Sequence, residues 1–145
     1  MRCLISRSGH ISVEVVPLAT TEGIRRVGVA RFSCKSDNIF LYHKTTRRKV
    51  YESAKSTVTN CDDVLLMNER GEITESTIAN LVVEIDGMFI TPPVSSGLLA
   101  GTFRGALLYQ GEICEGIVTD DMIRKADAVW LINSVRKWMP VEFVD

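Results

Sequence analysis

The sequence predicts an α+β domain built on a mainly antiparallel sheet with few helices. Three observations predict it. Short stretches in which apolar residues alternate with polar ones recur along the chain, the pattern of half-buried strands. Turn residues punctuate them, at Ser8-Gly9, Asn68-Glu69-Arg70-Gly71 and Asp86-Gly87. Only three segments carry helix-compatible spacing, and none of them is long.

From the N-terminus, Arg2 to Ser6 and Ile11 to Val16 form the first hairpin, with Ile11, Val13 and Val15 alternating with polar residues and Pro17 ending it. Ile24 to Phe32 is a further strand, followed by the polar stretch Ser33 to Asn38 and by Ile39-Phe40-Leu41-Tyr42, which reads as an apolar strand end. A polar-faced helix is expected from Thr45 to about Lys55, with Val50 and Ala54 turned inward. Asp63 to Met67 and Glu72 to Ser76 make a second hairpin. The third is the clearest: Leu81 to Ile85 and Met88 to Ile90 are joined by Asp86-Gly87, a pair suited to a type I′ turn.

Pro92-Pro93 stops that strand, and Ser95-Ser96-Gly97 leads through a loop to a helix starting near Gly101 or Thr102 and reaching Tyr109. Ile113 to Val118 is expected as a strand, Thr119 or Asp120 as the cap of a short helix to about Lys125, and Ala128 to Ile132 and Pro140 to Val144 as the closing strands.

Composition bounds the rest. A chain of 145 residues with 46% hydrophobic residues is enough for one core, so residues 1–145 are read as a single domain. A net charge of −1 provides no broad field for nucleic acid or an anionic membrane, leaving small anions at local sites. No apolar run approaches the ~20 residues that span a bilayer, and Met1 to Arg7 lacks the apolar core of a signal peptide. Cys3, Cys34, Cys61 and Cys114 are scattered, and with only two histidines they lack zinc-ligand spacing, so no metal site is expected. Scattered thiols of this kind point to a reducing compartment, and the chain is read as cytoplasmic.

Three separated segments carry the chemistry: His43-Lys44-Thr45-Thr46-Arg47-Arg48 with Tyr51, Glu72-Ile73-Thr74-Glu75-Ser76-Thr77-Ile78-Ala79-Asn80, and Leu98-Leu99-Ala100-Gly101-Thr102-Phe103-Arg104. Lys44 follows the apolar Ile39 to Tyr42 stretch, which would desolvate its amine in part, although a lysine beside two arginines reads first as a solvated basic face. Glu75, taken alone, is an ordinary solvated hairpin glutamate. Gly101-Thr102-Phe103 would turn unpaired N–H groups and the positive end of a helix dipole toward an anion. Gly97, Gly101 and Gly105 also read, more plainly, as residues of close packing or of a turn. Ser134 and the Val135 N–H could add donors from the loop after the Ala128 to Ile132 strand, where a serine is ordinarily a turn residue.

Taken in order, with Asn133-Ser134-Val135-Arg136 behind them, these segments resemble the fold-type IV pyridoxal-phosphate enzymes, the group that contains branched-chain aminotransferases and 4-amino-4-deoxychorismate lyases. The resemblance runs from about Arg2 to Val144 and is to the larger, barrel-like C-terminal domain of the D-amino-acid aminotransferase type. It implies pyridoxal 5′-phosphate as cofactor, with Lys44 as the lysine that joins it covalently, Glu75 as partner of the ring nitrogen and Asn80 in the same run. It further implies Leu99 packed on the ring, the backbone of Gly101, Thr102 and Phe103 on the phosphate, and Asn133, Ser134 and Val135 as a second phosphate loop.

Within the family, His43 to Arg48 with Tyr51, and Asn133 to Val141, look more like the aminodeoxychorismate lyases. That implies release of 4-aminobenzoate and pyruvate from an amino substrate, a step toward folate. An amino-acid transaminase is the second reading, and a non-catalytic or split fragment serving as an interaction domain is the third. The family's smaller N-terminal domain, with a phosphate-gripping arginine, is largely absent from this chain, so a homodimer or a partner supplying that domain is expected. An apolar face is expected where it would dock. Phe103 stands where transaminases often have threonine. Arg47, Arg104 and Arg136 are candidates for holding substrate carboxylates, and each also reads as a surface residue.

Overall fold

A computed structural model describes residues 2–18 and 23–144. Ten strands and three α-helices follow one another as β1 (Arg2–Ile5), β2 (Ile11–Glu14), β3 (Arg25–Ala30), α1 (Lys49–Ser56), β4 (Asp63–Met67), β5 (Ile73–Ser76), β6 (Asn80–Ile85), β7 (Met88–Thr91), α2 (Thr102–Gln110), β8 (Cys114–Glu115), α3 (Asp120–Lys125), β9 (Ala128–Asn133) and β10 (Lys137–Phe143).

Strands β5-β4-β3-β10-β9-β6 lie side by side, and β5 pairs again with β6, which closes six strands into a barrel with β7 and β8 as an extension beyond β6. The ladders are antiparallel except those of β3 with β4 and β10, and of β7 with β8. Closure removes the open edges that a flat sheet would expose. It rests on a single register pair, Glu75 opposite Asn80.

Strand alternation sorts the apolar residues into an interior and two covered outer faces. Leu65 and Met67 of β4, Leu81 and Val83 of β6, and Val129 and Leu131 of β9 join Val27, Ile73, Met139 and Val141 in one core. The alternate residues Val64 and Leu66 pack under α1 against Tyr51, Ala54, Leu41 and Cys34. Val82 and Ile132 pack under α2 against Leu107 and Ile113. Because β4 and β6 are covered on both sides, they read as continuous apolar runs.

The Asp86-Gly87 turn is as expected: φ is 51° at Asp86 and 74° at Gly87, positive at both central residues as a type I′ turn requires. Thr119 caps α3 through its hydroxyl, which accepts from the Met122 N–H. β1 and β2 form a separate two-stranded sheet, with every residue exposed. Their register places Cys3, Ile5, Ile11 and Val13 on one face.

Four expectations are corrected. Ile39 to Tyr42 is no strand end but a 3₁₀ turn, Ile39–Leu41, because the Asn38 carboxamide accepts the Phe40 N–H and closes the backbone on itself. The following helix starts at Lys49 instead of Thr45, since the Thr45 hydroxyl accepts the Arg47 N–H in a local turn. The strand foreseen over Ile113 to Val118 shrinks to Cys114–Glu115. There Gly116 passes so close to Ile90 that a Cβ would lie 2.8 Å from its Cγ2, and the chain then leaves β7 for a bridge between Val118 and Ile73. The last strand begins at Lys137, ahead of Pro140, which β10 tolerates because pairing to β3 starts only at Val141.

All four cysteines are free. Among the described residues no helix is long and apolar enough to cross a membrane, and no group of three or more His, Cys, Asp or Glu is placed to hold a metal.

Leu131, wholly buried in the barrel interior, gives a test of this packing. Leu131→Ala is expected to lower unfolding stability by about 3 kcal/mol, the usual cost of a buried leucine cavity, read from urea unfolding. A loss below about 1 kcal/mol would show that the interior is not closely packed there.

Candidate active site

A cavity of about 420 Å³ opens beside the barrel closure, where the segment ahead of α1, the β5–β6 turn, the first turn of α2 and the turn after β9 meet. All of Lys44, Glu75, Asn80, Leu99, Gly101, Thr102, Phe103, Ser134 and Val135 line it. Residues far apart in the chain therefore share one concave site.

Lys44 reaches the cavity from a loop and is exposed. The desolvated amine expected from Ile39 to Tyr42 is not found, because that segment turns instead of running as a strand beneath the lysine.

Glu75 is the opposite case: it is only 4% exposed, although hairpin glutamates are usually solvated. Its backbone lies in the barrel wall, so its side chain is enclosed between α1 and the loop ahead of α2. Oε1 accepts from the Tyr51 hydroxyl at 2.8 Å and from the Leu99 N–H at 3.2 Å; Oε2 accepts from the Asn80 amide at 3.3 Å. Burial raises its pKa to about 7, opposed by the Tyr51 and Leu99 hydrogen bonds and then by the positive charges of Lys44 and Arg48.

Asn80 ties the carboxylate to the anion-binding turn. Its Nδ2 donates to Glu75 Oε2 and, at 2.8 Å, to the Leu99 carbonyl. Its Oδ1 lies where a side chain at Gly101 would begin, 2.2 Å from an added Cβ. The glycine is thus explained by close approach and not by backbone freedom, since its φ of −64° is open to any residue. Gly97 has φ 93° and serves a turn, while Gly105 has nothing within 4 Å of an added Cβ.

Gly101 is the N-cap of α2 and gives no side-chain cap, so the first-turn N–H groups at Thr102 and Phe103 remain available to an anion. The Thr102 and Ser134 hydroxyls lie 2.6 Å apart and add two polar groups at the same end. The Val135 N–H is differently placed: it donates to Asn133 Oδ1 at 3.0 Å, as does the Arg136 N–H at 2.8 Å. Val135 lines the cavity, but its amide already has an acceptor.

The arginines divide. Arg104 lines the cavity but is buried, and its Nη2 donates to the Pro92 carbonyl and to Glu115, so it is not a surface residue. Arg47 lies over the Phe40 ring at 4.6 Å and is absent from the cavity wall. Arg136 lies outside that wall as well. Arg48, which the sequence did not single out, does line it: its guanidinium donates to the Thr77 carbonyl and lies 4.6 Å from the centre of the Tyr51 ring. A cation four residues after Lys44 was the available signal.

Close approach at Gly101 can be tested directly. Gly101→Ala is expected to destabilise the protein by about 1–3 kcal/mol through overpacking against Asn80, and Asn80→Ala added to it should recover part of the loss. Additive losses in the double-mutant cycle would exclude that contact. A second expectation concerns pH. Glu75 binds its proton more tightly folded, at about 7, than at its ordinary 4.5, so the folded state holds more protons between those values. The contribution of Glu75 to stability is therefore greatest below 4.5, falls as pH rises to about 7 and then levels, a change on the order of 3 kcal/mol. Glu75→Gln should flatten this fall in urea unfolding measured at several pH values; an unchanged slope would assign it to other groups.

Comparison with known proteins places this geometry in a family. The model of "Amino-transferase class IV" matches residues 2–144. A Schizosaccharomyces pombe protein named "Putative aminodeoxychorismate lyase" is 34% identical over 94% of this chain and 63% of its own length. The chain thus spans less than two thirds of that relative. The crystal structure of a "Putative amino-acid aminotransferase" from Mesorhizobium loti superposes with a TM-score of 0.87 at 37% identity, covering 98% of this chain and 71% of that one. The PLP-bound form of "A hypothetical aminotransferase" from Mycobacterium tuberculosis shares the fold, with a TM-score of 0.72 at 17% identity over 86% of this chain and 48% of that one. A six-stranded mixed barrel of this type, matched by the family model over nearly its whole length, makes the chain a member of the class IV aminotransferase family, the fold-type IV pyridoxal-phosphate enzymes.

Proposed function

We propose that this chain carries the pyridoxal 5′-phosphate site of a 4-amino-4-deoxychorismate lyase-like enzyme, acting on a small amino substrate and releasing 4-aminobenzoate and pyruvate. The observation that carries the reading is the meeting, in one cavity, of a lysine, a buried carboxylate and an uncapped helix N-terminus. Those are the three partners such a cofactor needs for its aldehyde, ring nitrogen and phosphate. The donor set fits: Glu75 keeps an oxygen with only one long hydrogen bond, and the α2 cradle with Thr102 and Ser134 is shaped for an anion. When bound, the cofactor supplies a ring that takes up the electrons left at the substrate α-carbon.

The chain's own residues then have separate tasks. Lys44, exposed at the mouth, holds the cofactor covalently until substrate arrives and afterwards moves the proton at the α-carbon. Glu75, in its anionic form, holds the proton on the ring nitrogen. Leu99 fixes Glu75 through its N–H and would pack beside the ring, while Gly101, Thr102 and Phe103 would hold the phosphate through backbone N–H groups. Phe103 retains the backbone donor without a hydroxyl.

The lyase reading is supported by the name and coverage of the S. pombe relative. An amino-acid transaminase is the second reading, supported by the M. loti relative at 37% identity. Adding an amino acid to the loaded protein separates them, since a transaminase converts its bound cofactor stoichiometrically to the amine form whereas a lyase does not. We further place the enzyme in the cytoplasm and as a homodimer, or with the remainder of the active site supplied by further chain. The exposed apolar face of Cys3, Ile5, Ile11 and Val13 supports that assembly, because a lone two-stranded hairpin is marginal in water. A fragment acting only through that face is the non-catalytic alternative.

The test is the visible absorbance of the purified protein with added pyridoxal phosphate. A band that borohydride removes, leaving cofactor covalently attached, is expected for the native chain and not for Lys44→Ala. No band at saturating cofactor would overturn the reading for this chain alone.

A further inference from the structure

Glu75 is reached by groups from every element packed around it. Tyr51 comes from α1, Arg48 and Lys44 from the segment ahead of it, Cys34 from the loop after β3, Asn80 from β6 and the Leu99 N–H from the loop before α2. Cys34 is pushed up to about 11, by burial first, and stays a neutral thiol. Lys44 and Arg48 carry positive charge, and Asn80 is neutral. Among the described residues only Tyr51 brings a side-chain hydroxyl to the carboxylate, at 2.8 Å in a buried contact.

The two carboxylate oxygens are used unequally. Oε1 takes the Tyr51 hydroxyl and the Leu99 N–H, whereas Oε2 takes one longer bond from Asn80. A carboxylate oxygen has two acceptor positions, so Oε1 is filled and Oε2 has room for another donor. Tyr51 remains a donor, because burial and then the Glu75 charge raise its pKa well above that of an ordinary phenol. Arg48 in turn holds the tyrosine: its guanidinium is fixed to the Thr77 carbonyl in the β5–β6 turn and lies on the ring face at 4.6 Å.

We propose that Tyr51 is the positioning residue for Glu75: its hydroxyl engages Oε1 and so leaves Oε2 as the oxygen offered to the protonated ring nitrogen of the cofactor, with Arg48 clamping the tyrosine in place. This rests on the pyridoxal-phosphate reading above and assigns a role that neither the family match nor the names of the relatives carry. Tyr51 touches neither substrate nor reacting atoms; it acts through the carboxylate, by stabilising its anionic form and fixing its rotation.

The test uses the full chain without cofactor. Glutamate labelled with ¹³C at the carboxyl carbon reports the Glu75 titration by NMR, with Glu75→Gln assigning the resonance. Tyr51→Phe removes one hydroxyl and keeps the ring under Arg48; it is expected to raise the Glu75 midpoint by ~1 pH unit, the loss of one hydrogen bond to a charged acceptor. A folded variant with an unmoved midpoint overturns the proposal. A second readout needs no variant: in the native chain the Tyr51 Cζ resonance should move with the Glu75 midpoint, and a Tyr51 signal blind to that titration also overturns it. The two readings fail separately. A shifted midpoint in a protein that takes up no cofactor would sink the proposed function, whereas cofactor uptake with an unmoved midpoint would sink only the role of Tyr51.

Discussion

Asn80 sits where the barrel closes, and its carboxamide is the contact on which the arrangement of the site depends. Its backbone faces Glu75 in the one register pair that joins β5 to β6. Its amide holds both the Glu75 carboxylate and the Leu99 carbonyl, and its oxygen occupies the space left open by Gly101. Asn80 is 5% exposed, so each of these polar contacts replaces water that the interior cannot supply. The carboxylate and the loop entering α2 are therefore tied together through Asn80, and again through the Leu99 N–H on Glu75.

The same enclosure creates an opposing force. A carboxylate removed from water resists ionisation, and Glu75 is accordingly raised to about 7. It is not raised further because donors and cations are arranged against the burial, with Tyr51 and Leu99 on one oxygen and Lys44 and Arg48 at longer range. The result is a group whose charge is sensitive to what enters the cavity. A cationic ring nitrogen would favour the anion, and so ligand binding and ionisation of Glu75 would reinforce each other. That sensitivity costs stability at neutral pH, which is the usual relation between a preformed site and its scaffold.

Much of the scaffold was legible because it is local. The Asp86-Gly87 turn, the Thr119 cap and the apolar strand β9 are each decided within a few residues, and each is found as expected. The Ile39 to Tyr42 segment misled because one Asn38 side chain outweighs an apolar run, a preference that composition does not show. Burial of Glu75 was invisible for a different reason: a hairpin glutamate is solvated unless the chain returns to cover it, and its cover comes from Tyr51 and Leu99, each 24 positions away. Arg104 is the converse. Its position beside the anion-binding turn suggested a ligand, whereas its Nη2 is taken up inside the fold by Glu115 and the Pro92 carbonyl. The resemblance of ordered motifs brought the site residues together where local reading could not.

The anchoring of the site is uneven, and Lys44 lies on its less anchored side. The loop leading to Leu99 and Gly101 is fixed from below by the β4–β5 turn, where Asn68 donates to the Ser96 carbonyl and Glu72 accepts the Ser96 hydroxyl. The α2 side is locked by Arg104 and by Leu107 in the outer core. Lys44, by contrast, lies on a segment held at its far end by Arg48 on Thr77 and locally by the short Thr45 turn. In the proposed reading, a firmly held carboxylate and cradle would keep a bound ring in place while Lys44, on a less anchored segment, reached it. The Arg48 contact with the Thr77 carbonyl ties the Lys44 segment to the β5–β6 turn, the turn that directly follows the strand carrying Glu75.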